Sequence, residues 1–265
     1  MLLIDAVASV TASENLILAS VIGERQITLR NCAKEPHVVD LCRMLILMGA
    51  KIEGMGTDIL KIKGVERLRG TKFAIGADYI EIGTYVVLAA ISGGEIRIDG
   101  VDSTGLDPVL MPLKSFGIKI ENSENSMNVS LSKLKSIPKL VTNIWPGFPT
   151  DLMSAAIVLA TQSKGMTLCH DWMYKSRMFF IDKLIMMGAK ITLADPHRVL
   201  VYGPNKLKGR VLETPDIRAG MALVLAALVA KGESVINQAE LIERGYEDVV
   251  EKLKGLGADI ERFEV

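Results

Sequence analysis

A short pattern that occurs four times constrains the fold of this chain more than any other feature. In each copy a helical segment reaches a glycine, and two residues then lead to an isoleucine, as in 47–52. The glycines stand at positions 49, 117, 188 and 257, so neighbouring copies lie 68, 71 and 69 residues apart. A fixed period of this length indicates duplicated supersecondary units. Each glycine is expected to end its helix, because glycine adopts the left-handed conformation without a Cβ clash.

Each unit also has the same predicted internal order. A nearly all-apolar helix is followed by a turn and a strand, then by an amphipathic helix and a strand pair, which is β-α-β-α-β-β in outline. A helix that is apolar on all sides must be buried on all sides. We therefore predict an α/β fold, an inside-out α/β barrel built from four such units. The apolar helices are predicted to begin at Ser13, Glu81, Asp151 and Asp216.

The composition excludes several classes of protein. Hydrophobic residues make up 49% of the chain, and 31 basic residues balance 31 acidic ones, which argues against a disordered or nucleic-acid-coating protein. The longest apolar run, residues 220–230, is too short to span a bilayer. The three cysteines are an odd number without paired spacing, which is typical of a reducing cytoplasm. We expect a cytoplasmic protein.

The four units divide unevenly between two predicted domains. Residues 1–76 are predicted to form a single unit of an incomplete first domain, and residues 77–265 a second domain of three units. Gly49 and Gly188 are each followed by 21 residues up to Gly70 and Gly209, whereas only 8 residues follow Gly257. One closing strand of the last sheet is therefore expected to be missing. Because exposed sheet edges and apolar helix faces are unfavourable, either a partner covers them or the chain is part of a longer protein.

The starts of the apolar helices are the candidate binding site. Parallel buried helices would direct their N-terminal N–H groups and dipoles to one face, which attracts anions. Glu81, Asp151 and Asp216 occupy equivalent places there. Helix capping is one interpretation of all three carboxylates. The alternative for Asp151, which follows Thr150, is a general base for a bound hydroxyl.

Three arginines lie near these helix starts, at Arg177, Arg218 and Arg244. A lone arginine is usually a solvated surface charge, but three that converge would suit phosphate and carboxylate, which guanidinium binds in bidentate fashion. The glycines at 54 and 56 lack the Gly-Lys-Ser/Thr of a phosphate loop and indicate a hairpin turn. The histidines have no metal-ligand spacing, and no Ser/His/Asp or zinc pattern occurs. We therefore expect neither a metal nor a cofactor.

At this point the residues resemble a known family, the UDP-N-acetylglucosamine enolpyruvyl transferases (1-carboxyvinyltransferases). The strings that carry the resemblance are KEPHVVD (34–40), GTD (56–58), GVERL (64–68), IEIGT (80–84), FPTD (148–151), DIR (216–218) and RGYE (244–247). The resemblance implies two domains of three units each, closing over a cleft. It also implies transfer of the enolpyruvyl group of phosphoenolpyruvate to the 3-hydroxyl of UDP-N-acetylglucosamine, the first committed step of peptidoglycan synthesis. The implied partners are these small molecules, not nucleic acid or membrane.

The resemblance also implies roles for single residues. Asp151 of the FPTD string would be the general base at the sugar hydroxyl, and Thr150 and Asp216 would bind substrate beside the reacting groups. The phosphate and carboxylate of phosphoenolpyruvate would be held by Arg218 and Arg244, with Arg177 close to them. The remaining implied nucleotide-sugar contacts are Ser9, Val10 and Met173.

Several features of the family are absent from this sequence. The family's N-terminal Lys-Asn pair and its Gly-rich loop with a Cys and an Arg have no counterpart, Val7 replaces a basic residue, and Lys175-Ser176 replaces an acidic-amide pair. The chain thus resembles the C-terminal portion of the enzyme, and we expect it to be inactive, or nearly so, by itself. Two alternatives are a catalytically inactive relative that binds a nucleotide sugar or another anion, and a subunit of a split enzyme whose partner chain supplies the missing N-terminal units.

Overall fold

The computed structural model describes residues 2–3, 7–130 and 133–263. The chain divides into two compact units. The smaller unit comprises Met1–Ala77 and Ile144–Gly147, and the larger comprises Asp78–Asn143 and Phe148–Val265. The predicted allocation of one repeat to residues 1–76 and three repeats to residues 77–265 stays a prediction.

The described residues of the smaller unit form a four-stranded mixed sheet and two helices. Its strands lie in the order β1-β2-β4-β3, with β1 parallel to β2 and the other pairs antiparallel. Ile17, Leu29, Val38 and Ile62 are among the buried residues of its hydrophobic core. The elements in chain order are β1 (Leu2–Leu3), α1 (Val10–Ser20), β2 (Gln26–Arg30), α2 (Pro36–Leu47), β3 (Lys51–Glu53) and β4 (Ile59–Lys63).

Helix α1 differs from its prediction. It begins at Val10 rather than at Ser13, because the side chain of Ser9 accepts a hydrogen bond from the Ala12 N–H at 3.3 Å. The Ser13 hydroxyl instead donates to the Ser9 carbonyl at 2.7 Å and accepts from the Ala33 N–H at 2.8 Å. Only one side of α1 is buried, so the prediction that it is buried all round is wrong.

The larger unit contains three sheets and seven helices among its described residues. Strands β5, β7 and β6 form an antiparallel sheet, and β12 pairs in parallel with β13. The third sheet has the order β10-β11-β9-β8, with β8 parallel to β9 and the other pairs antiparallel. The helices are α3 (Tyr79–Ser92), α4 (Asp107–Ser115), α5 (Met153–Gln162), α6 (Ile181–Met186), α7 (Ile217–Leu228), α8 (Glu240–Glu243) and α9 (Val249–Gly255). The strands are β5 (Ile96–Asp99), β6 (Lys119–Asn122), β7 (Ser126–Ser130), β8 (Lys139–Val141), β9 (Gly165–His170), β10 (Lys190–Asp195), β11 (Arg198–Gly203), β12 (Val211–Glu213) and β13 (Val235–Asn237).

These sheets and helices confirm the predicted α/β class. The two four-stranded sheets are mixed, and in the part of the chain that the structure describes no sheet closes on itself. Within the same ranges, no helix combines the length and the apolar character that a membrane crossing needs. The inside-out barrel and the number of repeats stay predictions.

Three apolar helices form the centre of the larger unit. Most residues of α3, α5 and α7 are buried, as their continuous apolar sequences predict. Helix α5 packs against both α3 and α7. Helix α3 and the segment immediately before α5 approach closely at Gly83 of α3. A Cβ atom added there would lie 2.5 Å from Leu152 Cδ1 and 3.0 Å from Val109 Cγ1. Glycine at position 83 therefore sets how closely the start of α5 can pack on α3.

The four repeated glycines end their helices as predicted. Their φ angles are 107°, 92°, 103° and 91° at Gly49, Gly117, Gly188 and Gly257, all in the left-handed region that favours glycine. A strand follows closely after the first three, whereas residues 258–263 after Gly257 form no strand. The local prediction of a helix end is thus confirmed at all four positions.

We expect Gly83→Ala to destabilise the protein by about 1–3 kcal/mol, because the added methyl group overpacks the contact between α3 and the start of α5. The measurement is urea unfolding followed by circular dichroism. Gly255→Ala is the matched control, since Gly255 lies at the end of α9 with nothing within 4 Å of an added Cβ. Equal stability of both variants and the parent would show that the close approach at Gly83 is not needed.

The three cysteines are free, and all three are buried in the core. Burial raises the pKa of the Cys42 thiol from 9.0 to about 11 and that of Cys169 to about 12, and it also raises the pKa of Cys32. At pH 8 the reactive thiolate of Cys42 is therefore about 100-fold rarer than in the unfolded chain.

We accordingly expect a disulfide reagent to label the native protein slowly at pH 8, since all three thiols are both buried and protonated. Labelling in denaturant, which must reach all three thiols, is the control. Rapid native labelling of any one cysteine would contradict its place in the core.

Candidate functional site

A pocket of about 340 Å³ lies at the starts of α5 and α7 in the larger unit. Two short 3₁₀ helices also contribute to it, Thr150–Leu152 immediately before α5 and Lys175–Met178 after β9. The residues that line it are Asp151, Tyr174, Ser176, Arg177, Asp216, Ile217 and Arg218. Four residues that the sequence predicts for the site therefore share one pocket.

Asp151 lies between two arginines. Its Oδ1 accepts from Arg177 Nη2 at 2.8 Å, and its Oδ2 accepts from Arg218 Nε at 3.0 Å. The Asp151 side chain is 37% exposed, whereas those of Arg177 and Arg218 are 12% and 19% exposed. No side-chain capping bond forms at the 3₁₀ helix that contains Asp151, so the capping interpretation is wrong for this residue. Its carboxylate instead occupies the place where two guanidinium groups converge.

Asp216 does cap its helix. Its Oδ1 accepts from the N–H groups of Arg218 and Ala219 at 2.8 and 2.9 Å, which fixes the first turn of α7. The equivalent cap of α3 is Asp78, whose carboxylate accepts hydrogen bonds from the N–H groups of Ile80 and Glu81. The prediction that α3 begins at Glu81 is therefore wrong. Glu81 instead pairs with Lys252 at 2.7 Å.

The guanidinium of Arg218 is held on its second side by an aromatic ring. Its Cζ lies 5.5 Å from the centroid of the Tyr246 ring, within the range of a cation–π contact. The buried Tyr246 hydroxyl lies 3.0 Å from Thr84 Oγ1 on α3. Burial, the largest single influence, acts to lower the pKa of Arg218, but the Asp151 carboxylate and Tyr246 together outweigh it and the pKa is raised. Arg218 therefore stays charged in a fixed position.

Arg177 is held by a second, deeper group of residues. Its Cζ lies 5.6 Å from the centroid of the Tyr174 ring, and its Nε donates to Thr150 Oγ1 at 3.4 Å. Behind Thr150 lies Asp171, which is completely buried and accepts a hydrogen bond from the Thr150 hydroxyl. Arg177 thus connects a buried carboxylate with the exposed carboxylate of Asp151.

The other predicted site residues lie in different places. Met173 lies in the loop before Arg177, where its N–H donates to Asp171 at 2.9 Å. Arg244 follows α8, is exposed, and does not line the pocket. Ser9 and Val10 lie at the start of α1 in the smaller unit. The assignment of all these residues to substrates stays a prediction.

Sequence reasoning missed Asp171 and the role of Tyr246. A signal existed for both. Asp171 directly follows strand β9, in a loop, where functional polar residues often lie, and Tyr246 belongs to the RGYE string. Neither position reveals from sequence which arginine it contacts. Asp171 is linked to Arg177 through Thr150, which lies 21 residues earlier in the chain, and Tyr246 lies far from Arg218 in the sequence.

The geometry suits an anion. Two guanidinium groups with few alternative partners converge on one point, and the starts of α5 and α7 add the positive ends of two helix dipoles. Among the residues that the structure describes, no group of three or more His, Cys, Asp or Glu side chains is suited to hold a metal ion. The chemical capacity of the pocket is therefore recognition of phosphate or carboxylate next to a carboxylate.

Comparison with known proteins identifies relatives along nearly the whole chain. A UDP-N-acetylglucosamine 1-carboxyvinyltransferase from Borrelia garinii subsp. bavariensis is 51% identical over 263 residues, which cover 96% of this chain and 62% of that protein. A protein of the same name from Treponema denticola is 48% identical, with the same coverage of both chains. The chain thus spans about 62% of the length of these curated relatives.

Solved structures show the same fold. The crystal structure of the enolpyruvyl transferase NikO from Streptomyces tendae is similar with a TM-score of 0.85 at 27% identity, covering 95% of this chain and 60% of that one. An EPSP synthase from Acinetobacter baumannii is similar in fold, with a TM-score of 0.77 at 21% identity, covering 98% and 62%. The family model of EPSP synthase (3-phosphoshikimate 1-carboxyvinyltransferase) matches residues 4–253. This chain belongs to that family of enolpyruvyl transferases.

Proposed function

We propose that this chain is a partial enzyme for transfer of the enolpyruvyl group from phosphoenolpyruvate to the 3-hydroxyl of UDP-N-acetylglucosamine, the first committed step of peptidoglycan synthesis. The observation that carries the proposal is the Asp151 carboxylate held between Arg177 and Arg218 in one pocket. The names of relatives that are 51% and 48% identical support the choice of acceptor sugar.

The proposed reaction exchanges one carbon–oxygen bond for another. The bond from the enol carbon of phosphoenolpyruvate to the phosphate oxygen breaks, and a bond to the 3-oxygen of the sugar forms. The proton of that hydroxyl leaves through Asp151, and inorganic phosphate is released. A hydroxyl is a weak nucleophile, so a carboxylate within hydrogen-bond reach accelerates this step as a general base.

The anion-binding residues have complementary roles in this proposal. Arg218 and Arg177 bind the phosphate and carboxylate groups of phosphoenolpyruvate, and Asp216 fixes the backbone from which Arg218 projects. Arg244 reaches the same substrate only if its exposed side chain turns towards the pocket. The nucleotide-sugar contacts of Ser9, Val10, Thr150 and Met173 rest on the family resemblance.

Both oxygens of Asp151 are paired with arginines. With each oxygen engaged by a guanidinium group, the Asp151 carboxylate has fewer acceptor positions left for a substrate hydroxyl. An incoming anion competes for the same guanidinium groups, so its binding would release Asp151. Phosphoenolpyruvate would therefore both supply the transferred group and free the base.

We further propose four β-α-β-α-β-β units in an inside-out arrangement, with one unit in residues 1–76 and three in 77–265. Two sheets support this repeat, because β1-β2-β4-β3 and β8-β9-β11-β10 share one succession of parallel, antiparallel and antiparallel pairs. The last sheet begins in the same way with β12 parallel to β13 but has no further strand among the described residues. A chain that supplies the missing N-terminal units would add a strand at β13.

The proposed reaction also implies a cellular location and role for the chain. A step in peptidoglycan synthesis belongs in the cytoplasm, where the free thiols of the chain remain reduced. Its product would serve cell-wall biogenesis, and through it cell shape and the cell cycle.

The second candidate function is that of a catalytically inactive relative that binds a nucleotide sugar or another anion. The paired state of Asp151 favours it, as does Lys175-Ser176 in place of the family's acidic-amide pair. Calorimetry with UDP-N-acetylglucosamine separates the candidates. Binding that Asp151→Asn leaves undiminished, with no turnover even after the N-terminal segment of the Borrelia relative is added, would support the inactive relative.

We expect the purified chain to release almost no phosphate from phosphoenolpyruvate and UDP-N-acetylglucosamine, because it lacks the family's Lys-Asn pair and Gly-rich loop. Addition of the N-terminal segment of the Borrelia relative, expressed separately, should restore release, and the same mixture with Asp151→Asn should not. Phosphate release at a normal enzymatic rate by the chain alone would refute the partial-enzyme proposal.

We expect Asp151→Asn to raise the affinity of the chain for inorganic phosphate about tenfold, because the variant removes the carboxylate that competes for Arg177 and Arg218. Isothermal titration calorimetry measures the change. Asp182→Asn is the control, since it removes an equal charge from an exposed side chain on α6. An unchanged or lower affinity of Asp151→Asn would contradict the proposed competition.

A further inference from the structure

Asp171 is a completely buried carboxylate directly behind the pocket, at the end of β9. A buried charge costs several kcal/mol of folding free energy unless hydrogen bonds and an opposite charge compensate it. Its Oδ1 accepts from the N–H groups of Met173 and Tyr174 at 2.9 and 3.1 Å. Its Oδ2 accepts from the Thr150 hydroxyl and lies 3.9 Å from Arg177 Nε. Oδ1 thus binds the backbone of the following turn, whereas Oδ2 faces Thr150 and Arg177.

The Thr150 hydroxyl links the Asp171 carboxylate to the Arg177 guanidinium by two hydrogen bonds. A hydroxyl has one proton, and an ionised carboxylate can only accept, so that proton points towards Asp171. The lone pairs of Thr150 Oγ1 are then left for Arg177 Nε, which lies 3.4 Å away. Because Thr150 accepts the hydrogen bond of Arg177 Nε, the guanidinium is oriented with Nη2 towards Asp151, at 2.8 Å.

The backbone of Asp171 is held separately from its carboxylate. Its N–H donates to the His197 carbonyl at 2.9 Å, and its own carbonyl lies 2.6 Å from His197 Nδ1. These contacts do not involve the side chain. A change confined to the carboxylate therefore leaves the end of β9 attached to β11.

We propose that Asp171 is a positioning residue that holds Arg177 in its anion-binding orientation through Thr150. Its importance for ligands rests on the proposed function, because an anion that displaces Asp151 leaves, among the contacts of the described residues, those with Asp171, Thr150 and the Tyr174 ring to hold Arg177. The plain alternative is that Asp171 only stabilises the turn at Met173 and Tyr174, which needs Oδ1 alone.

Asp171→Asn separates the two roles. The amide oxygen of asparagine can keep both turn contacts of Oδ1, since it remains an acceptor. The amide nitrogen then takes the place of Oδ2, and as a donor it cannot accept from Thr150 or attract Arg177. A turn-stabilising role predicts little change in this variant, whereas a positioning role predicts loss of the constraint on Arg177.

The first test needs no ligand. Proton exchange at Arg177 Nε is followed by NMR in the full chain, with the resonance assigned by its loss in Arg177→Lys. We expect protection to fall about tenfold or more in Asp171→Asn and in Thr150→Val, which corresponds to the loss of a charge-assisted interaction. Thr150→Ser, which keeps a hydroxyl, and the surface control Asp182→Asn should retain it.

Protection that stays unchanged in a folded Asp171→Asn would overturn the proposal. If that variant does not fold, the pair Thr150→Val and Thr150→Ser decides in the same way. Equal protection in these two variants would show that no acceptor at position 150 holds Arg177.

The second test compares two variants of equal charge by their affinity for inorganic phosphate. If charge alone matters, Asp171→Asn and Asp151→Asn both raise the affinity, because each removes one negative charge near the pocket. The positioning role predicts opposite signs, with a rise for Asp151→Asn and an about tenfold fall for Asp171→Asn. A rise in phosphate affinity in both variants would overturn the positioning role of Asp171. If neither the parent chain nor Asp151→Asn binds phosphate, the proposed anion site fails, and the exchange measurement decides the role of Asp171 by itself.

Discussion

The candidate site depends on one interaction, the pairing of both Arg177 and Arg218 with the Asp151 carboxylate. The three side chains come from the start of α5, a 3₁₀ helix after β9, and the first turn of α7. Breaking one partner of such a partly buried group leaves a charge without compensation, which costs more than the pair contributes when intact. The interaction therefore fixes the relative positions of three chain segments and at the same time concentrates positive charge in the pocket.

The apolar helices make this convergence possible. Because α5 packs against both α3 and α7, the starts of the helices lie close enough for Asp151 to reach Arg218 and for Tyr246 to link Arg218 with Thr84 on α3. No single helix start would select a substrate. The combination of two guanidinium groups and two helix dipoles at one place is what suits the pocket to an anion.

Periodicity and composition were sufficient to predict much of this arrangement. The repeated glycines fixed four helix ends, and the apolar runs predicted the buried α3, α5 and α7, since both properties depend on local sequence. The starts of helices were less predictable. Ser9 and Asp78 cap their helices in place of Ser13 and Glu81, because several polar residues near a helix start can each serve as a cap. Asp171 was missed, because its role depends on Thr150 and Arg177, and only the folded chain brings those residues to it.

The central claim is that Asp151 occupies the position of a substrate anion until one binds. A crystal structure of the chain with phosphoenolpyruvate tests it most directly. The account predicts a phosphate or carboxylate group between Arg177 and Arg218, with the Asp151 carboxylate displaced from both guanidinium groups and Arg177 Nε still at Thr150. An anion bound elsewhere, with both ion pairs of Asp151 intact, would contradict it.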